Sequence, residues 1–156
     1  MPALALAKAR AAIVGGIRGV VLAADTVVVV GDRLLGKPAD TDEARRMLRL
    51  LRNRAHEVIT GVAVIDAESG REATTAVVTR VLMADYDDVA IEKYVATGGP
   101  LDKAGGYAIQ DIPNEWVTAL DGPYTNVVGL PLAATRRLLE EFAVPLLPAA
   151  LSAEDG

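Results

Sequence analysis

Asp25 is where a chemical reading of this chain starts. It stands inside the run Val20-Val21-Leu22-Ala23-Ala24-Asp25-Thr26-Val27-Val28-Val29-Val30. A carboxylate in a buried strand is costly unless a metal, a cation or several donors meet it. A strand end or bulge where Asp25 caps backbone donors meets the same need, and the residues alone leave both readings open. Lysines give the second signal. There are four, Lys8, Lys37, Lys93 and Lys103, against twelve arginines. Two of them stand in loops rich in glycine and proline, Gly36-Lys37-Pro38 and the stretch 98–106 with Asp102-Lys103-Ala104-Gly105-Gly106. Glycine lets backbone approach a ligand closely, and a lysine there presents a point charge suited to phosphate. Neither loop has Walker A spacing, and a solvated lysine is the plain alternative for either loop alone. Gln110, next to Asp111, carries an amide suited to a base edge, with a surface role as its alternative. Together Asp25, Lys37, Asp102, Lys103 and Gln110 form an oxygen- and lysine-rich set suited to a Mg²⁺-bound phosphate ester. They are expected to converge on one cleft.

Composition removes most other chemistries. Cysteine is absent, which excludes disulfides, zinc–cysteine sites, iron–sulfur clusters and thiol catalysis. The one histidine, His56, excludes a polyhistidine metal site and reads as a hydrogen-bonded structural residue. The two serines, Ser69 and Ser152, lie in a turn and in the tail, so a Ser-His-Asp hydrolase has no elbow to use. A formal charge of −5, with one Trp, four Tyr and one Phe, argues against a DNA or RNA polymer as partner. Arg45, Arg46, Arg49, Arg52 and Arg54 read as a solvated helix face. Arg18 and Asp25 break the apolar runs, so no membrane span is expected. Lys8 and Arg10 lie inside the apolar stretch at 1–14, where a signal peptide places its charge before it. The expected location is the cytoplasm.

The elements that must position these residues follow from periodicity and punctuation. Residues 3–14 read as an Ala/Leu helix with Leu4, Ala7, Ala11 and Val14 on one stripe, stopped by Gly15-Gly16. Residues 20–30 read as a strand interrupted at Asp25-Thr26, with Leu34-Leu35 returning as a hairpin arm. Asp40 and Glu43 form an acidic box that opens a helix with Ala44, Met47, Leu48 and Leu51 inward. Strands follow at 58–66 and 72–83, then a helix capped by Asp87 or Asp88. Short strands are expected at 107–112 and 116–120, and a last helix opens at Pro131. The whole is an α/β fold with a mixed sheet, largely antiparallel, and flanking helices. Residues 1–144 form one domain, or two small lobes sharing a core, and 145–156 a frayed tail.

Five stretches taken in order resemble the Maf family, the septum-formation inhibitor or nucleoside triphosphate pyrophosphatase proteins. They are Ala24-Asp25-Thr26-Val27-Val28, Gly36-Lys37-Pro38, His56-Glu57-Val58-Ile59-Thr60-Gly61, Asp102 through Gln110, and Thr125-Asn126-Val127-Val128-Gly129-Leu130-Pro131-Leu132. The resemblance covers roughly residues 4–142. It implies the Maf, ITPase-like architecture, a sheet folded around a deep cleft, and often a homodimer. It implies hydrolysis of a nucleoside triphosphate to monophosphate and pyrophosphate with a divalent cation, Mg²⁺ or Mn²⁺. Overproduction of such proteins is linked to blocked septation.

Carried over residue by residue, the resemblance makes Asp25 the proton acceptor or metal ligand and Asp102 a support for the metal. Lys37 and Lys103 would neutralise phosphates, and Lys8 matches a lysine that points into the cleft. Thr26 and Gln110 match the branch that prefers dTTP and UTP. The family opens with a strand, a Ser-x-Ser-Pro-Arg-Arg loop and an acidic segment with a catalytic glutamate. None of these has a counterpart in the 156 residues, so on their own they are expected to turn over little substrate. The rival reading is a non-catalytic protein of the family that binds a nucleotide or a division partner.

Overall fold

A computed structural model describes residues 2–144. The tail expected at 145–156 lies outside the described residues. The elements in chain order are α1 (Pro2–Val14), β1 (Val20–Val30), β2 (Arg33–Leu35), α2 (Thr41–Leu51), β3 (Ala55–Asp66), β4 (Glu72–Met83), α3 (Asp88–Val95), β5 (Val117–Asp121), α4 (Tyr124–Val128) and α5 (Leu132–Glu140). The strands form one five-stranded antiparallel sheet in the order β2-β1-β3-β4-β5. The fold is therefore mixed α/β, as the sequence implies. By contact density the described residues divide into two compact units: 2–26, 59–78 and 123–144 in the first, 27–58 and 79–122 in the second.

In the first unit the end of β3 is buried on both faces, from Thr60 to Ile65. Its sequence there is accordingly apolar without alternation. On one side Ile65 and Val21 pack with Ala9 of α1. On the other, Val62 and Val64 pack with Leu138 of α5. The stripe that α1 buries is Ala5 and Ala9, not the expected one: Leu4 is 51% exposed and Val14 88%. Two alanines one turn apart let the helix lie close on the sheet, with Leu6 and Ile13 packed beside them against the same cluster while Leu4 and Val14 turn out. Asp66 N–H donates to the Arg71 carbonyl and closes the β3–β4 hairpin. The Arg71 guanidinium lies 4.7 Å over the Phe142 ring and donates to the Glu141 carbonyl.

In the second unit β2 pairs with the end of β1, Val28 opposite Leu35 and Val30 opposite Arg33. Asp40 caps α2 by accepting from Glu43 N–H at 2.8 Å, and Asp87 caps α3 in the same way through Ala90. The arginine run is less solvated than expected. Arg45 reaches Glu92 at 2.6 Å and Asp42 at 2.7 Å, and Arg52 reaches Asp88 at 2.9 Å. The Glu92 and Asp88 pairs tie α2 and its C-cap to α3, while the Asp42 pair stays within α2. Tyr86 stacks on Trp116 with centroids 4.1 Å apart, and Tyr94 meets the same indole edge-on.

Three further expectations are corrected, and one helix has no counterpart among them. β1 runs unbroken through Asp25 and Thr26. β3 begins at Ala55 rather than 58, because Asn53 turns with φ 56° and Met83 N–H donates to the Arg54 carbonyl, extending the ladder. Residues 107–112 form a turn and not a strand. Ala108 N–H is taken by the Tyr94 hydroxyl, and Asp111 and Ile112 N–H donate back to the Ala108 carbonyl. The helix α4 was unforeseen: Pro123 opens it and Gly129, at φ 131°, ends it.

Candidate active site

Asp25 is held from the neighbouring helix. Packing Ala5 and Ala9 inward turns Lys8 along α1 toward β1, where its Nζ sits 2.7 Å from Asp25 Oδ1 and 3.5 Å from the Ala24 carbonyl. The Asp25 side chain is 14% exposed and that of Lys8 54%. The pair thus joins a mostly sheltered carboxylate to a cation that water and ligands reach. Thr26, the next residue, is half-buried and meets Thr60 through their hydroxyls at 2.9 Å. Thr60 in turn donates to the Asn126 carbonyl at 3.3 Å, and Asn126 Nδ2 donates to the Val77 carbonyl at 3.0 Å. These residues all belong to the first unit.

Lys37, Asp102, Lys103 and Gln110 belong to the second unit, and all four are exposed. Two of the loops that carry them are joined by one backbone bond: Gly105 N–H donates to the Gly36 carbonyl at 3.1 Å, beside Lys37. Lys103 separates two short 3₁₀ turns, Gly99–Asp102 and Ala104–Gly106. Gly105 takes φ 79°, and a Cβ there would stand 3.1 Å from Val28 Cγ2. Backbone conformation and close approach both call for glycine at this position. Tyr107 then fixes the loop from below. Its hydroxyl is 2.6 Å from His56 Nε2, with the rings edge to face. Burial pushes the His56 pKa down to about 4 and raises that of Tyr107. His56 is therefore a neutral structural ring, as its setting in the sequence suggests. Gln110 lies in the turn after Tyr107 rather than at a strand end.

Thr60, Asn126 and Tyr107 are the residues that sequence reasoning passed over. Thr60 shares strand parity with His56, Val58, Val62 and Val64, all buried. A threonine at an inward position of an apolar strand is a signal in itself.

Among the described residues no group of three or more Asp, Glu or His side chains is placed to hold a metal ion. The described residues thus build no closed protein cage. A hard cation of the Mg²⁺ type needs no such cage: one or two carboxylates, water and substrate phosphates hold it.

A model of the Maf-like protein family matches residues 1–142. The chain belongs to the Maf-like family. A dTTP/UTP pyrophosphatase of Desulforamulus reducens is 45% identical to it over 144 residues, 91% of this chain and 75% of that protein. One from Anaeromyxobacter dehalogenans is 50% identical over 145 residues, 92% of this chain and 74% of its own length. Another, from Hyphomonas neptunium, is 51% identical over 138 residues, 88% and 72%. Within this Maf-like chain, every candidate residue from Lys8 to Gln110 falls inside the matched region. No helix among the described residues is long and apolar enough to cross a membrane.

Proposed function

We propose that this protein is a nucleoside triphosphate pyrophosphatase that hydrolyses dTTP and UTP to the monophosphate and pyrophosphate. Its family and the names of its relatives support the reaction and the substrate class. The observation that carries the reading is the 2.7 Å pair between Lys8 and Asp25 in the middle of a valine-rich strand. It offers a sheltered carboxylate and, beside it, an exposed cation that phosphate can recruit.

Water attacks the α-phosphorus, Asp25 accepts its proton, and pyrophosphate leaves. Lys8 orients Asp25 and offers its ammonium to the entering phosphates. Lys37 and Lys103 offset charge on the leaving pyrophosphate, as point charges held by glycine-rich backbone. Thr26 and Gln110 read the base. Asp25 would hold a divalent cation, Mg²⁺ or Mn²⁺, and Asp102 would support it. When bound, such a cation supplies charge neutralisation at the phosphoryl oxygens and makes water easier to deprotonate. With this reading go a Maf-type cleft, a homodimer and a cytoplasmic location, with residues 1–144 working as one domain.

Asp25→Asn tests it. Asn keeps the shape of Asp but accepts no proton, and loss of a general base lowers turnover on the order of 10²-fold or more. The assay is pyrophosphate release from UTP and dTTP, with circular dichroism and thermal unfolding confirming the fold. Near-normal turnover by a folded variant would return Asp25 to a purely structural role.

A further inference from the structure

The buried polar chain behind Thr26 has a direction, and counting protons fixes it. The Thr60 hydroxyl has a single proton. Its Oγ1 lies 3.3 Å from the Asn126 backbone carbonyl, which only accepts, so Thr60 donates there. The 2.9 Å contact between the Thr26 and Thr60 hydroxyls then takes its proton from Thr26. Thr26 uses its only proton inward, and toward any ligand it presents lone pairs alone. The far end of the chain is rigid: Thr60 and Asn126 are fully buried, and Asn126 is fastened to Val77 on β4. Thr26 itself is half-buried.

We propose that Thr60 is a positioning residue for base recognition: by taking the Thr26 proton it holds Thr26 as an acceptor only. An acceptor there favours a base whose ring nitrogen carries a proton, the imide N–H shared by thymine and uracil. It disfavours cytosine, whose ring nitrogen at that place is itself an acceptor. A hydroxyl free to rotate would serve both bases. The inference rests on the assignment of Thr26 to base reading made above, and it adds a residue that touches no substrate.

The test compares kcat/KM for UTP and CTP in the wild type, Thr60→Val and Thr60→Ser. Valine keeps the shape and removes both hydrogen bonds; serine keeps both. In Thr60→Val the preference for UTP over CTP falls about tenfold, the worth of one hydrogen bond, and the loss appears in KM while kcat on UTP stays within about threefold. Thr60→Ser keeps the wild-type preference. A folded Thr60→Val with the wild-type preference overturns the proposal, as does a Thr60→Ser that loses as much as valine does. If Thr60→Val does not fold, Thr26→Val carries the test, and a wild-type preference in that variant overturns it equally. Should the wild type hydrolyse neither nucleotide even when the family's opening segment is fused ahead of Met1, the pyrophosphatase reading fails by itself. The inference is then read from the Kd of α,β-methylene analogues of UTP and CTP in the same proteins, and equal binding of both by the wild type refutes it.

Discussion

Acidification from about pH 8 to about pH 5 is expected to weaken the second unit through a single ring. His56 is 2% exposed, and its pKa falls from 6.5 to about 4 because burial penalises the imidazolium. The unfolded chain takes up the proton near pH 6.5, while the folded one refuses it until about pH 4. Stability is therefore whole above the unfolded pKa, declines as pH falls below it, and levels off once both states are protonated. The gap corresponds to about 3 kcal/mol in full and to about 2 kcal/mol near pH 5. Protonation has little to gain inside: Nε2 already shares a hydrogen bond with Tyr107, and Nδ1 has no hydrogen-bond partner among the described residues. Urea unfolding followed by Trp116 fluorescence, for the wild type and His56→Phe across this range, measures the effect. The stability difference between the two proteins should change by about 2 kcal/mol between pH 8 and pH 5, in the direction that favours the variant at low pH. Parallel profiles would show that the buried ring is not the acid-sensitive group.

Gly105→Ala should lower stability by about 1–2 kcal/mol, since alanine resists the left-handed backbone and its Cβ meets Val28; an unchanged thermal midpoint would contradict this. Lys103→Gln should raise KM for UTP roughly tenfold while leaving the fold intact, as expected for one lost phosphate cation, and wild-type kinetics would remove Lys103 from the phosphate site. Chelation by EDTA should abolish pyrophosphate release, and added Mg²⁺ or Mn²⁺ should restore it; activity that survives chelation would exclude a metal-assisted reaction.

The parts of this fold legible in the sequence are those where local and global preferences agree. The Asp40 and Asp87 caps, the helices they open and the long strands β1 and β4 follow from capping chemistry and from β-branched runs. Residues 107–112 read wrongly because Tyr107, Ala108 and Ile112 are apolar for reasons of burial, while the backbone bonds that settle their conformation come from Tyr94 and from within the turn. The same holds for α1. Composition announces a helix but does not say that two alanines, rather than Leu4 and Val14, face the sheet. Asp25 stood out because a carboxylate among valines conflicts with its surroundings. Thr60 gave a weaker signal, its inward parity among valines, because threonine is at home in a strand and only the tertiary structure shows what its hydroxyl touches. Lys8 was legible as a residue type and not as a partner, since seventeen positions separate it from Asp25.

The pairing of Arg45, Arg49 and Arg52 with carboxylates of α2 and α3 bears on how a nucleotide finds its place. An unpaired row of guanidinium groups would be a decoy, holding triphosphates by bidentate contacts away from any chemistry. With these three answered locally, their field beyond the Debye length, about 8 Å in physiological salt, is close to that of a dipole. The molecule as a whole carries −5 and repels an approaching polyanion. On the proposed reading, encounter rests on short-range attraction to a few lysines against a mildly hostile background, and moderate salt, by screening that background, is expected to speed the search.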